Sequence, residues 1–229
     1  MSHNVYVFLA EGFEEIEARE AGRFDLVTSN IPFGKFAIYD RAYSKGKDAA
    51  KREATRAIHN YFFVKGLDCL REGGLLAFIT SRGVADSPTN APIREHLMEH
   101  SRLVSALRLP DGMFSENAGT EVGSDLLILQ KETGKGVQNE WEQLFTQSVS
   151  IELGGESFTE NALFAEGNHA VATAYRIGTD AYGKPAPVYI HTGGIEGVAR
   201  DLEARISADM AARFDQKIYR SGLSEAVES

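Results

Sequence analysis

Cysteine is almost missing from this chain of 229 residues, which has one, Cys69. A single thiol excludes an internal disulfide framework and suits a reducing compartment. Long apolar runs are missing too: no stretch approaches the ~18 consecutive apolar residues of a membrane-spanning helix. The opening Met1-Ser2-His3-Asn4-Val5 has neither a basic n-region nor an apolar h-region, so no signal peptide is expected. The expectation is a soluble chain of the cytoplasm, without membrane partners. Basic residues are in deficit, with a net charge of -9, and that excludes a protein coating nucleic acid without discrimination. Internal repeats and low-complexity tracts are absent as well.

Hydrophobic residues make up 43% of the chain, enough for a real core. One segment runs against the acidic average. Between Lys35 and Arg56, the bases Lys35, Arg41, Lys45, Lys47, Lys51, Arg52 and Arg56 outnumber the acids Asp40, Asp48 and Glu53. Such a run is a solvated loop entering a helix or a local patch for a polyanion.

The hydrophobic pattern predicts short strands at Asn4–Leu9 and Phe24–Thr28, with an acidic segment from Glu11 to Glu20 between them. Residues 40–52 are polar and read as a loop. Ala54, Ala57, Ile58, Tyr61, Phe62 and Cys69 keep helical spacing from Glu53 onward, and Gly73-Gly74 is the expected stop. Leu75–Ile79 is a buried strand, and Pro92 opens a helix carrying Ile93 and Leu97. Leu103–Leu109 and Asp125–Leu129 are further strands. The succession predicts an α/β fold, a mostly parallel sheet with one antiparallel strand at an edge. Residues 132–140 read as a linker, and 141–190 give no clear assignment. Ile195, Val198, Leu202, Ile206, Met210, Phe214 and Ile218 then predict one long amphipathic helix.

The sharpest chemical signal is Asn30-Ile31-Pro32-Phe33, at the carboxyl end of a strand, where open α/β sheets bind ligands. An exocyclic amine offers two N–H donors. The Asn30 side-chain oxygen and the Ile31 carbonyl are two acceptors, Pro32 fixes the backbone, and Phe33 offers a face for a flipped base. Such a set holds an amine in line for attack on an activated methyl group without a strong base.

In this motif the chain resembles the N6-adenine DNA methyltransferases of the Asn-Pro-Pro-Phe type. The likeness extends to a branch found in methylase–helicase polypeptides of mobile and conjugative elements. The matching stretches are Gly12–Ile16, Phe24–Gly34 (FDLVTSNIPFG), Ile58–Phe63 (IHNYFF), Leu70–Ser81 (LREGGLLAFITS), Leu103–Pro110 and Ala118–Lys131, in the family's order. Gly178–Pro185 and His191–Gly197 resemble the branch less specifically. The departure is Ile31 where the family has proline, at a position that acts through its main-chain carbonyl. The resemblance implies an incomplete Rossmann-like class I methyltransferase sheet with a C-terminal helical extension. Residues 1–131 would be the C-terminal part of the catalytic domain, and 132–229 a linker and partly helical extension. It implies a DNA adenine-N6 methyltransferase of the restriction-modification kind, with S-adenosyl-L-methionine as cofactor and DNA as partner. Asn30, Ile31, Pro32 and Phe33 would form the catalytic motif. Lys35, Lys45, Lys47, Lys51 and Arg52 would lie along the DNA backbone, where phosphate contacts position without specifying sequence. Thr80, Ser81 and Gly119-Thr120-Glu121 would line the same edge.

The family's cofactor-binding elements precede its catalytic motif, and no Gly-x-Gly turn stands before Asn30. The site for S-adenosyl-L-methionine is therefore expected to be incomplete here. A missing N-terminal segment or a partner chain would complete the sheet, whose edges are otherwise open. A permuted cofactor turn at Val188–Gly197 lacks the usual glycine spacing and reads better as a helix start. The alternative is a catalytically inactive remnant, or a scaffold fragment of a methylase–helicase protein. Val5–Ala18 also resembles the opening of the PfpI superfamily, but Cys69 falls in a predicted helix and not on a nucleophile elbow. His96 and His100, four apart on a helix, have no evident third ligand. The histidines are read as surface or capping residues, and no metal is expected.

Overall fold

The structure, a computed structural model, describes residue 13 and residues 21–32, 34, 36–113, 123–180 and 183–228. The strand expected at Asn4–Leu9, most of the acidic segment after it, and Gly119-Thr120-Glu121 lie outside these residues.

Among the described residues four strands form the main sheet, in the order β1-β2-β4-β3. They are β1 (Phe24–Asn30), β2 (Leu70–Ser81), β3 (Ser101–Arg108) and β4 (Ser124–Lys131). β1 is parallel to β2, and β4 runs antiparallel to both β2 and β3. The fold is thus the expected α/β class with a mixed sheet. Its reversed strand lies one place inside the edge, with β3 outermost. β1 forms the other margin, and Leu26 on it is 56% exposed.

Between β1 and β2 stand α1 (Arg41–Ser44), α2 (Ala49–Ala54) and α3 (Ile58–Cys69). The first two occupy the expected loop. Asp40 and Asp48 each accept hydrogen bonds from amides two and three residues on, so each caps a short helix. α3 stops before the glycines. Its last carbonyls, of Asp68 and Cys69, accept from the amides of Gly22 and Arg23 at 2.9 and 3.0 Å, which releases Leu70 into the strand. Gly73 and Gly74 are consequently inside β2. Gly73 has φ 73°, and a Cβ there would stand 2.5 Å from the Ile218 carbonyl oxygen.

After β2 come α4 (Gly83–Asp86) and α5 (Ala91–His100), with Pro92 in the first turn. The unassigned stretch contains α6 (Glu140–Thr146) and two hairpins, β5 (Ser148–Leu153) with β6 (Glu156–Asn161), and β7 (Ala174–Thr179) with β8 (Pro185–Ile190). α6 opens on a capping box between Asn139 and Glu142.

The expected long terminal helix is two helices, α7 (Gly194–Arg213) and α8 (Gln216–Glu228). Asp215 breaks it by capping α8, accepting from the amides of Lys217 and Ile218. The Gln130 amide clamps the break: it accepts from the Asp215 amide at 2.8 Å and donates to the Asp215 and Gly73 carbonyls. Val198, Leu202 and Ile206 of α7 pack on Leu107 and Val171, so this part of the stripe is covered by the chain itself. The main core gathers Ile31, Phe63, Leu76, Phe78, Leu97 and Leu129 with Phe145 and Phe164 from the later region. Among the described residues no helix is long and apolar enough to cross a membrane.

Candidate functional site

β1 delivers Asn30 to the carboxyl edge of the sheet, in register with Ile79 of β2, and leaves it exposed. The next residue turns inward. Ile31 is 1% exposed, and its amide donates to the Ile79 carbonyl at 2.9 Å. A buried side chain and a strand-type hydrogen bond therefore pin the turn at the position where proline would otherwise stiffen it. Pro32 is exposed; Phe33 and Lys35 lie outside the described residues. The segment beyond is tied to the entrance of α3, with the Ile38 amide donating to Thr55 and the Ile58 amide to Phe36.

His59, in the first turn of α3, joins this turn to the end of β2. Its ring nitrogens lie 3.3 Å from Thr80 Oγ1 and 3.4 Å from Ser81 Oγ, and it is also hydrogen-bonded to the backbone of Gly34. Burial lowers its pKa, with the Gly34 contact opposing, so the imidazole is neutral at pH 7. Sequence reasoning brought Thr80 and Ser81 to this edge but treated His59 as a surface residue. Its position one turn into a helix beside the motif is visible only in the fold.

The basic run divides. Lys45 and Lys47 are exposed. Arg52 is exposed and donates to the Gly46 carbonyl at 2.7 Å. Lys51 is half-buried, paired with Asp68 at 2.5 Å and set 5.2 Å from the Tyr43 ring centroid. Tyr43 donates to the same carboxylate, so Lys51 braces α2 against α3.

A buried polar network, unseen in the sequence, occupies the same end of the sheet. Arg108, fully buried on β3, donates to Asp125 at 2.9 and 3.2 Å and to Asp86 at 2.7 Å, and faces Glu160 at 3.6 Å. Burial acts to lower its pKa, but Asp125 and Asp86 outweigh burial and hold it well above its ordinary value. The Tyr189 hydroxyl donates to Glu160 at 2.6 Å, and the Tyr189 amide to Asp111 at 2.6 Å. Arg82 spans Asp111 and the Pro187 carbonyl. The network anchors both hairpins to the ends of β2, β3 and β4. Beside it lies a cleft of about 400 Å³, lined by Asp111, Met113, Tyr189, His191 and Ile195 among others.

The glycines at the start of α7 do not form a cofactor cradle. A Cβ on Gly193 or on Gly197 would stand 2.8 Å from His191 Cε1, so both positions are small because an imidazole fills the space. His191 accepts from the Gly193 amide at 3.1 Å and faces Asp201 at 3.1 Å, which fixes that ring as the helix start. Cys69 is buried at the end of α3, where its thiol is packed and not presented.

Asn30 thus stands at a strand end with Ile31 pinned behind it. Residues 4–114 match the Eco57I restriction-modification methylase family. That segment, just under half of the chain, is similar to the restriction-modification methylases. Among solved structures, the chain resembles a protein from a study of type I R-M system assembly and conformational transition. The identity there is 21% and the TM-score 0.42, over 52% of this chain and 24% of that one. A putative class I S-adenosylmethionine-dependent methyltransferase of Listeria monocytogenes gives 20% identity and TM-score 0.39, over 51% and 34%. A modification subunit of a putative type I restriction enzyme of Vibrio vulnificus gives 16% and 0.41, over 78% and 39%. The chain thus spans less than half the length of each of these structures. No curated protein gives a significant match.

Proposed function

We propose that this chain supplies the target-adenine half of an S-adenosyl-L-methionine-dependent DNA adenine-N6 methyltransferase acting in the cytoplasm. The observation that carries this reading is the exposed Asn30 at the carboxyl end of β1, followed by an Ile31 whose side chain is buried and whose amide is held by β2. The Asn30 side-chain oxygen accepts one N–H of adenine N6 and the Ile31 carbonyl the other. Phe33 stacks on the extruded base, and Pro32 keeps the turn extended. Binding in this way aims the nitrogen lone pair and stabilises positive charge growing on nitrogen, which is what the step requires of the protein. His59 holds the turn to Thr80 and Ser81 as a positioning residue. The exposed Lys45 and Lys47 suit phosphate contacts, with Lys35 and Arg52 beside them in the chain, while Lys51 contributes mainly through Asp68.

The cofactor supplies the methyl group when bound. We assign its cradle to a preceding segment or a partner chain that adds strands along β1, since the spaces beside Gly193 and Gly197 are filled by His191. Among the described residues no strand pairs with the outer side of β1, and its Leu26 is exposed, which supports that assignment. In this reading residues 1–131 are the C-terminal part of the catalytic domain, and 132–229 a linker and extension packed against it.

The test is calorimetric titration with S-adenosyl-L-methionine and a methyl-transfer assay on adenine-rich DNA, both with and without an added upstream methylase segment. Transfer that appears with the segment and disappears in Asn30→Ala is the expected result. Transfer that survives Asn30→Ala refutes the assignment of the motif. A completed sheet that binds cofactor yet transfers nothing points to the inactive or scaffold role.

A further inference from the structure

Three side chains that take no part in the site above converge at the C-terminal end of α5. His96 and His100 stand four residues apart and so share a helix face, with ring centroids 4.5 Å from each other. Glu99 joins them: one ligand atom from each of His96, Glu99 and His100 lies within 4.8 Å of the other two. His96 is half-buried, and Glu99 and His100 are exposed. No other two histidines in the chain have this spacing.

We propose that His96, Glu99 and His100 form a binding site for a late first-row divalent cation, zinc in the first instance. Two imidazole nitrogens and one carboxylate oxygen are a borderline donor set of the kind zinc takes, with a water to complete a tetrahedron. Magnesium, which prefers an all-oxygen octahedron, is a poor fit. Bonds of about 2.0–2.2 Å place tetrahedral donors roughly 3.5 Å apart, inside the 4.8 Å within which these three stand. Two of the three side chains, Glu99 and His100, are exposed, which leaves room for rotamer changes that close the set.

The surroundings favour a cation for two further reasons. His100 ends α5, where the helix dipole places partial negative charge. The carboxylates of Asp48, the cap of α2, and Asp68, in the last turn of α3, both act electrostatically on His96, against the opposing influence of His100. The ammonium of Lys51 nearby is already matched by Asp68.

The location separates this site from methyl transfer. β3 begins at Ser101, directly after His100, and runs in the same sense as β2. The three ligands therefore stand at the amino end of the sheet, opposite Asn30. A bound ion would staple the last turn of α5 at the entrance to β3, a structural role.

The test uses the untagged full chain, stripped with a chelator and titrated calorimetrically with zinc chloride, nickel chloride and, as a control, magnesium chloride. One equivalent of zinc and of nickel should bind, zinc should raise the thermal unfolding midpoint, and magnesium should do neither. His100→Ala and Glu99→Gln alter exposed side chains and leave the fold intact by circular dichroism. His100→Ala, and likewise His96→Gln, should weaken zinc about tenfold or more. Absence of binding by the parent chain overturns the proposal. So does unchanged affinity in folded His100→Ala.

Discussion

Replacing Arg108 with methionine keeps an unbranched apolar stem but removes the guanidinium that faces Asp125, Asp86 and Glu160. Asp125 is 0% exposed and loses both of its hydrogen bonds from Arg108. Asp86 keeps 18% side-chain exposure, and water can take over part of its solvation. Removing one partner of a buried pair costs about 3–5 kcal/mol. The partial exposure of Asp86 puts this case near ~3 kcal/mol on that scale. For a chain of this length that corresponds to a fall of roughly 6–12 °C in the melting midpoint. Thermal melts followed by circular dichroism measure it, alongside the double variant Arg108→Met/Asp125→Leu. The double variant removes the fully buried Asp125 charge, while Asp86 stays part-exposed and Glu160 keeps its bonds from Tyr189 and Tyr175, so it should recover part of the loss. If the single variant melts within about 1 °C of the parent, the network is hydrated and the reasoning fails.

Gly222 of α8 lies against the Glu72 carbonyl, which a Cβ would strike, and so Gly222→Ala should destabilise by about 1–3 kcal/mol, read as a lower urea midpoint. Asp40 accepts from Tyr61 and Lys65 and from the Tyr43 amide, and these bonds outweigh burial and lower its pKa below the ordinary 3.8. A depressed pKa contributes stability above the unfolded value, and it is lost as pH falls through the folded one. Asp40→Asn should therefore flatten the acid limb of the melting profile below pH 3.8. If the proposed DNA role is right, Lys45→Gln and Lys47→Gln in the completed enzyme should each reduce the salt dependence of DNA binding by roughly 0.9 in the log–log slope. Lys51→Gln should instead lower the melting midpoint, through the loss of its pairing with Asp68.

The strands of the main sheet were legible because Leu75–Ile79, Leu103–Leu109 and Asp125–Leu129 are apolar runs bounded by polar breaks. The place of β4 between β2 and β3 was not, since strand order depends on pairing between distant segments. α1 and α2 were hidden by their charge, although Asp40 and Asp48 stand as cap signals ahead of them. The β5–β6 hairpin also had its mark, Gly154-Gly155, where both residues take positive φ. The motif Asn30–Phe33 could be read because strand, turn and residue types are contiguous. His59 and the Arg108 network could not: their partners come from residues far apart in the chain, and only the fold assembles them.

That network also sets an order of events during synthesis. Arg108 and Asp125 leave the ribosome well before Glu160 and Tyr189, so the nascent sheet holds its charges without their full complement of partners. The carboxyl edge, where Asn30 stands, cannot reach its final electrostatic state until β8 has docked. A chain cut after Lys131 would keep every strand of the sheet and still be left in that unfinished condition, with Arg108 and Asp125 open to water.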